Sequence, residues 1–260
     1  MSVIHPTAIV HPRAQIAASV EIGPYCVIDE HVSIDADTVL APHVRITGHT
    51  QLGKHNRIGS FSVLGGMPQD KKYAGEPTRL QIGDHNTIFE YVTMSTGTAQ
   101  DQGLTQLGSH NWIMAYVHIA HDCVLADHCI MSNNAQLAGH VQMGDYAILG
   151  GMAGVHQFCR IGAHAMIGAK SLIVQDVAPF ITVSGMPAKA FGLNAEGLTR
   201  RGFSAESIKK LKQAFKHIYQ SGALLKEAIA SLESDPAWMA DAHCQALLAF
   251  IKAPGRGLLR

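Results

Sequence analysis

The chain carries a large aliphatic residue at every sixth position over most of its length. One register comprises Ile4, Val10, Ile16, Ile22, Ile28, Ile34, Leu40, Ile46, Leu52, Ile58 and Leu64, and resumes at Ile82, Ile88 and Met94. A second register comprises Leu107, Ile113, Ile119, Leu125, Met131, Leu137, Met143, Leu149, Val155, Ile161, Ile167 and Ile173. Side chains repeat about every 3.6 residues in a helix and every 2 in a strand, so neither element explains this spacing. It predicts a solenoid whose coil has three short strands and about 18 residues.

The fourth residue after each aliphatic is small in most repeats and is predicted to lie inside a corner of the coil. Four of the five cysteines, Cys26, Cys123, Cys129 and Cys159, fall at this position. We interpret them as packing residues, which argues against Cys123 as a nucleophile or metal ligand. A glycine often follows the aliphatic, as at Gly23, and is predicted to let the backbone turn there.

Two polar, glycine-rich segments interrupt the repeat, at residues 65–80 and 95–106. Loops inserted between the repeats of a solenoid often contain functional residues. The period ends near residue 178, and FSAESIKKLKQAFKHIYQSG then predicts an amphipathic helix with Ser204 as its N-cap and Gly222 as its stop. We therefore expect two domains, a solenoid over 1–190 and an α-helical domain over 191–260.

Composition excludes several classes of protein. The 20 basic and 20 acidic residues balance, whereas a general nucleic-acid-binding protein normally has a basic excess. The first fifteen residues lack the apolar core of a signal peptide, and the apolar run ALLAFI is too short to span a bilayer. Five cysteines without close pairs indicate reduced thiols. We expect a cytoplasmic protein without a membrane span or a nucleic-acid partner.

The stretch HIAHDC, residues 118–123, predicts a site. With Ile119 and Cys123 inside, His118 and His121 can face outward. His121, Gly139 and Gln157 are spaced by 18 residues, so they stack on one edge at about 4.8 Å per coil. His140 and His156 are neighbours of the last two. A glycine N–H beside a histidine suits an oxyanion hole, which favours catalysis.

Two other readings of this histidine cluster remain. Sixteen histidines make some clustering on turns expected without any function. A zinc site shared between subunits is possible because imidazoles are good ligands, but a carboxylate or thiolate partner in clear geometry is lacking. We predict neither a metal nor a cofactor.

The repeat, together with HIAHDC, NNAQLAGHV, GGMAGVHQFCRIGAH, QDKKYAGEPT and NAEGLTRRGFS, closely resembles the UDP-N-acetylglucosamine acyltransferases over almost the whole chain. The resemblance implies a left-handed parallel β-helix followed by a small α-helical domain. It also implies transfer of an (R)-3-hydroxyacyl group from acyl carrier protein to the sugar 3-hydroxyl, the first step of lipid A biosynthesis, without a covalent intermediate. His121 matches the general base, Asp122 its partner and Gly139 the donor to the oxyanion. Since adjacent strand residues point to opposite faces, direct contact between His121 and Asp122 is left open.

The resemblance also implies the residues that bind substrate and the assembly. The matching substrate-binding residues are Gln69, Asp70, Lys72, His118, His140, His156, Gln157, Asn194, Glu196, Arg200 and Arg201, and Ala169 matches the position that limits acyl-chain length. The family forms homotrimers with sites between subunits, so His121 and the Asp70–Lys72 loop are expected to come from different chains. From the residues alone, Asp70 and Lys72 could be a solvated ion pair and Arg200 and Arg201 ordinary surface charges. The segment KKLKQAFK offers positive charge to an acidic carrier protein.

One motif departs from the family, since this chain has VTMSTGT where members commonly read VTIHRGT. Ser95 and Thr96 therefore replace His and Arg, which puts any contact made there in doubt. Two other functions remain open: N-acylation of a UDP-amino sugar, or a non-catalytic or metal-binding hexapeptide protein. The sequence also leaves open the acyl length and whether the acceptor carries a 3-hydroxyl or a 3-amino group.

Overall fold

The solenoid consists of very short strands separated by corners. The structure, a computed structural model, describes residues 3–260. Its strands are β1 (Val3–Ile4), β2 (Ile9–Val10), β3 (Gln15–Ile16), β4 (Glu21–Ile22), β5 (Val27–Ile28), β6 (Ser33–Ile34), β7 (Val39–Leu40), β8 (Arg45–Ile46), β9 (His49–Leu52), β10 (Arg57–Ile58), β11 (Val63–Gly66), β12 (Arg79–Ile82), β13 (Thr87–Ile88), β14 (Thr93–Ser95), β15 (Leu104–Leu107), β16 (Trp112–Ile113), β17 (His118–Ile119), β18 (Val124–Leu125), β19 (Ile130–Met131), β20 (Gln136–Leu137), β21 (Gln142–Met143), β22 (Ile148–Leu149), β23 (Gly154–Val155), β24 (Arg160–Ile161), β25 (Met166–Ile167), β26 (Leu172–Ile173), β27 (Ile181–Gly185) and β28 (Ala188–Leu193).

Every third strand belongs to the same sheet, which gives the coil three sides. The first sheet has the order β1-β4-β7-β10-β13-β16-β19-β22-β25-β27-β28, the second β2-β5-β8-β11-β14-β17-β20-β23-β26, and the third β3-β6-β9-β12-β15-β18-β21-β24. Neighbours are parallel, as where His118 pairs with Gln136, and only β27 and β28 in the described chain pair antiparallel. The sequence prediction of a three-sided parallel solenoid is confirmed.

The inward aliphatics form a continuous core, and side chains such as Ile46, Ile113 and Leu149 are fully buried. Ile4 departs from this pattern with 40% of its surface exposed, because it lies in the terminal coil. The small corner positions are also buried, and burial raises the pKa of the Cys123 thiol to about 12. The interpretation of Cys123 as a packing residue is therefore confirmed, since a thiol so hard to ionise is a poor nucleophile.

The corners turn through a residue other than glycine. Three positions after most inward aliphatics the backbone has a positive φ, for example 58° at Asp122 and 62° at His140. The glycine after the aliphatic serves a different purpose, because a Cβ on Gly23 would lie 2.9 Å from the carbonyl oxygen of Leu40 in the next coil. Our expectation that this glycine provides the turn is wrong, and close approach between coils is the reason for it.

Corner side chains between the third and first sheets stack along the solenoid. His55, His85, His110, His128, Tyr146 and His164 place their ring centroids between 4.5 and 4.9 Å from the next ring, with nearly parallel planes. This spacing is close to the distance between coils. We call this row of rings the imidazole–aromatic ladder.

The chain after the antiparallel pair of β27 and β28 is helical. The helices are α1 (Ala195–Arg200), α2 (Ala205–Tyr219), α3 (Leu225–Glu233), α4 (Pro236–Met239) and α5 (Ala242–Lys252). The Ser204 side chain accepts from the Ser207 N–H, which confirms the predicted N-cap, and α2 ends before Gly222 at the C-cap Gln220. None of the helices described has the length and apolar character that a bilayer crossing requires.

Candidate active site

His121 lies at a corner between the second and third sheets, immediately after β17. Its Nδ1 is 2.9 Å from Oδ2 of Asp122. The two side chains meet because Asp122 occupies the corner position with positive φ, where the strand rule of opposite faces does not apply. The contact left open by the sequence is therefore present.

Asp122 is held from the opposite side by the segment 96–103. The backbone N–H and the hydroxyl of Thr98 donate to its two carboxylate oxygens at 2.8 and 2.6 Å. The Asp122 side chain is only 1% exposed. A carboxylate that accepts from His121 Nδ1 fixes the imidazole tautomer and leaves the Nε2 lone pair free to accept a proton.

Gly139 lies one coil beyond His121, against its imidazole ring. A Cβ at this position would be 2.5 Å from His121 Cε1 and 2.8 Å from Nε2, so the site requires glycine. Within residues 3–260 the Gly139 N–H donates to no other group, whereas the next N–H, of His140, donates to the His121 carbonyl at 3.0 Å. The edge therefore presents a free backbone donor beside a basic nitrogen.

Both interruptions of the repeat leave the solenoid at this same edge. The structure reduces them to residues 67–78, between β11 and β12, and 96–103, between β14 and β15; below, these are the first and second loops. The first loop precedes the corner at His121 by two coils and the second by one coil, and the corners at Gly139 and Gln157 follow in the next two coils. The two loops and three corners together can enclose a ligand.

Two cavities meet at His121. One, of about 770 Å³, is lined by Gln69, Asp70, Lys71, Lys72, Gln100, Asp101, His121, His140, Gln157 and Phe158. The other, of about 460 Å³, lies over the second sheet and is lined by residues that include His118, Gly139, His156 and Leu172. Our expectation that His121 and the Asp70–Lys72 loop come from different chains is wrong, because the first loop of the same chain reaches this corner.

The histidines around His121 are held differently from one another. His118 Nδ1 lies 2.8 Å from Thr93 Oγ1, and burial lowers its pKa, with a smaller contribution from His121. His140 Nδ1 is 2.7 Å from Asp101 Oδ2. His156 is exposed, and its Nδ1 lies 3.1 Å from the Gln157 carbonyl oxygen.

The cluster also offers metal ligands. His121, Asp122 and His140 each provide a ligand atom, and these atoms lie within 4.8 Å of one another. Asp122 thus supplies the carboxylate that the sequence did not place. It is the Asp122 Oδ2 atom that already accepts from Thr98 and His121, which is the arrangement of an oriented acid–base pair.

A third cavity gathers the remaining predicted substrate residues on a different face of the solenoid. It measures about 640 Å³ and is lined by Ile130, Ile148, Met166, Thr182, Leu193, Asn194, Ala195, Glu196, Gly197, Arg200 and Arg201. Asn194 caps α1 and donates to the His164 carbonyl at 3.0 Å. Arg200 pairs with Glu196, and Arg201 lies 5.0 Å above the Tyr146 ring. Within one chain this cavity does not meet His121.

Comparison with known proteins identifies the family. The family model described as Udp N-acetylglucosamine O-acyltransferase, Domain 2, matches residues 176–259, and the bacterial transferase hexapeptide model matches 105–139. A protein of Thiobacillus denitrificans named acyl-[acyl-carrier-protein]--UDP-N-acetylglucosamine O-acyltransferase is 56% identical over 260 residues, covering both chains completely. A protein of the same name from Herminiimonas arsenicoxydans is 53% identical, also over both full lengths. The chain belongs to the UDP-N-acetylglucosamine O-acyltransferase family.

Solved structures of the family agree with the fold. The LpxA structure from Acinetobacter baumannii is 45% identical with a TM-score of 0.96, covering 99% of this chain and 100% of that one. The UDP-N-acetylglucosamine O-acyltransferase from Moraxella catarrhalis gives 48% identity and the same TM-score, with 99% of each chain covered. The predicted left-handed parallel β-helix followed by α-helices is confirmed.

Two features of the acyltransferase site escaped the sequence analysis. Thr98 and Asp101, which contact Asp122 and His140 at the edge between the second and third sheets, lie in a loop that the sequence marked only as an interruption. Counting back one coil from His121 gives position 103, so the 18-residue period was the signal that would have placed this loop above the site.

Three further positions from the sequence analysis, Ser95, Thr96 and Ala169, line neither of the two described cavities that contain His121. Ser95 and Thr96, which depart from the common family motif, are buried, and Thr96 shares a hydrogen bond of 3.0 Å with Thr78 of the first loop. Ala169 is exposed at a corner between the first and second sheets and lines neither of the described cavities that contain His121.

Proposed function

We propose that this chain transfers an (R)-3-hydroxyacyl group from acyl carrier protein to the 3-hydroxyl of UDP-N-acetylglucosamine, opening lipid A biosynthesis. The name shared by full-length relatives at 51–56% identity gives the donor and the acceptor. The observation that carries the chemistry is the His121–Asp122 pair with the free Gly139 N–H against the imidazole.

In the proposed mechanism His121 is the general base. Asp122 holds the Nδ1 proton, so Nε2 removes the proton of the sugar hydroxyl as its oxygen bonds to the thioester carbon. The carbonyl oxygen becomes an oxyanion that the Gly139 N–H stabilises, a role worth on the order of 3 kcal/mol. The C–S bond then breaks, and the proton on His121 passes to the departing thiolate. No acyl-enzyme forms, because the acceptor oxygen attacks directly.

The larger cavity is proposed to hold the acceptor. Gln69, Asp70 and Lys72 would bind it from the first loop, and Lys72 brings positive charge near a diphosphate. His118, His140, His156 and Gln157 would complete the enclosure around the sugar and the acyl carbonyl. The smaller cavity continues along Leu172 and fits the start of an apolar acyl chain, and Ala169 is proposed to limit the length of that chain.

The nucleotide is proposed to extend to a neighbouring copy of this chain in a homotrimer. Asn194, Glu196 and Arg201 line a cavity over the first sheet, whereas His121 lies between the second and third sheets. One chain cannot present both cavities to one ligand, but side-by-side packing of solenoids can. The first loop then belongs to the His121 chain and the Asn194 cavity to its neighbour.

The helical domain is proposed to receive the carrier protein. Lys209, Lys212 and Lys216 are exposed along α2, and Arg200 lies near its start. Such a row of cations attracts an acidic partner and raises the rate of encounter. We also propose a cytoplasmic location and the two-domain division at residue 190, and the five free, buried cysteines agree with a reducing compartment.

A panel of donors and acceptors tests this function. The purified protein is assayed with hydroxyacyl carrier proteins of several chain lengths against UDP-N-acetylglucosamine and its 3-amino analogue, and the ester or amide product is measured. We expect ester formation that requires the hydroxyl acceptor. Amide formation with the amino sugar alone would establish the N-acyltransferase alternative, and absence of transfer from every donor would favour a non-catalytic hexapeptide protein.

A further inference from the structure

A carboxylate in the second loop binds a histidine that lies two coils away. Asp101 Oδ2 is 2.7 Å from Nδ1 of His140, across 39 residues of sequence. The His140 side chain is 14% exposed, whereas that of Asp101 is 40% exposed. The contact therefore connects the second loop to a largely buried imidazole at the edge between the second and third sheets.

The His140 ring is restrained on its other sides as well. It stacks on Phe158 with centroids 4.3 Å apart and planes 12° apart. It meets the His121 ring edge-on at 5.1 Å, and its Nε2 lies 3.8 Å from Asp122 Oδ2. Its backbone is fixed by a φ of 62° and by the hydrogen bond from its N–H to the His121 carbonyl. Asp101 supplies the remaining restraint, on the rotation of the ring and the position of its proton.

A hydrogen bond to one ring nitrogen decides what the other nitrogen offers. With Nδ1–H donated to Asp101, His140 turns Nε2 toward Asp122 and His121. Without Asp101 the His140 ring can flip or change tautomer. The second loop also loses its hydrogen bond to the corner at His140. Gln100 and Asp101 line the 770 Å³ cavity together with Lys72 and His140, so the same contact also fixes one wall of that cavity.

We propose that Asp101 is a positioning residue that sets the orientation and tautomer of His140 for binding of the UDP-sugar acceptor. The inference rests on the proposed function, because it takes the larger cavity as the acceptor site. Asp101 acts through His140, and its loss is expected to weaken acceptor binding more than the chemical step.

The test compares Asp101→Ala, Asp101→Asn and the loop control Gln102→Ala. Affinity for UDP-N-acetylglucosamine is measured by calorimetry, and KM and kcat are measured for both substrates. We expect Asp101→Ala to raise the acceptor Kd and KM roughly tenfold, with kcat and the donor KM within about twofold of wild type. Asp101→Asn keeps an acceptor oxygen and should recover most of the affinity, while Gln102→Ala should behave as wild type.

A double-mutant cycle with His140→Ala shows whether Asp101 acts through that ring. In the His140→Ala background, removal of Asp101 should cause little further change in the acceptor Kd. Additive losses, an unchanged acceptor Kd in Asp101→Ala, or a fall in kcat and melting temperature without a change in acceptor binding would each overturn the proposal. Wild-type turnover in the same assays tests the proposed function separately, since a positioning defect presupposes that the unaltered protein binds and converts the sugar.

Discussion

Two edges of the solenoid carry histidines at corners of the same geometry, but the side chains are used differently. Along the imidazole–aromatic ladder each ring stacks on the corresponding ring of the next coil, as His110 does on His128 at 4.9 Å with planes 9° apart. At the edge between the second and third sheets, His140 also stacks on the next coil's ring, Phe158, at 4.3 Å, but it meets the His121 ring at 88°, and both histidines contact a carboxylate. The corner repeat by itself gives stacking, whereas inserted loops and a glycine at position 139 convert a corner into a site.

The largest expected difference between these edges is in turnover. His121→Ala removes the base and should lower kcat about 10³-fold with little change in melting temperature. His110→Ala in the ladder should leave kcat within about twofold of wild type. Initial rates with saturating donor and acceptor check both variants. Wild-type turnover by a folded His121→Ala protein would remove the general base from the mechanism.

The absence of a side chain at Gly139 gives the next largest effect. In Gly139→Ala the new Cβ would overlap the His121 ring and displace it from the free N–H, so kcat should fall about 10²-fold or more. Gly192→Ala is the control, because a Cβ there meets nothing within 4 Å. Circular dichroism and initial rates distinguish a misfolded protein from a disturbed site. Equal activity of the two variants would contradict the oxyanion role.

The second loop gives a further test of the difference between the two edges, because no loop is inserted at the described corners of the imidazole–aromatic ladder. Thr98→Val keeps the shape but removes the hydroxyl that donates to Asp122, and kcat should fall roughly tenfold. Thr98→Ser should recover most of that loss. If valine and serine variants have the same kcat, the hydroxyl does not contribute to the orientation of the His121–Asp122 pair.

A third edge, between the first and second sheets, is tested through Ala169. Ala169→Met should shift the preferred donor to a shorter 3-hydroxyacyl chain, since Ala169 is proposed to limit chain length and a larger side chain there would leave less room for the chain. Competition between donors of different length measures the preference. The neighbouring exposed residue Lys170, changed to Ala, is the matched control. Unchanged preference in Ala169→Met would exclude this position from chain-length selection.

The smallest expected effect is on stability at the end of the ladder. Burial, followed by the charges of Arg201 and His243, lowers the pKa of His164 to about 4. The unfolded chain binds this proton near pH 6.5 and the folded chain does not, so stability should fall as pH drops from about 6.5 to 4 and be fully retained above that range. Since the ring is half-buried, screening reduces the change to about 1–2 kcal/mol. Urea unfolding of wild type and His164→Phe across this range checks it, and identical slopes would contradict the assignment.

The six-residue period determined the fold and the edge on which the site lies. It placed Ile119 and Cys123 inside and aligned His121 with Gly139, because only one register of the repeat buries the aliphatic residue of every coil side. Separately from the period, the segment FSAESIKK indicated Ser204 as the N-cap of the longest helix. These features are local or strictly periodic, so the linear sequence is sufficient to predict them.

The tertiary structure decided the contacts that depend on exact corner and loop conformation. The positive φ of Asp122 turned its side chain toward His121, and the second loop brought Thr98 and Asp101 to residues 24 and 39 positions away. The same structure reassigned Gly23 from turning to close packing and brought the first loop to His121 of its own chain. Loops outside the repeat follow no period, so their reach is set by packing between distant segments, which a linear pattern does not encode.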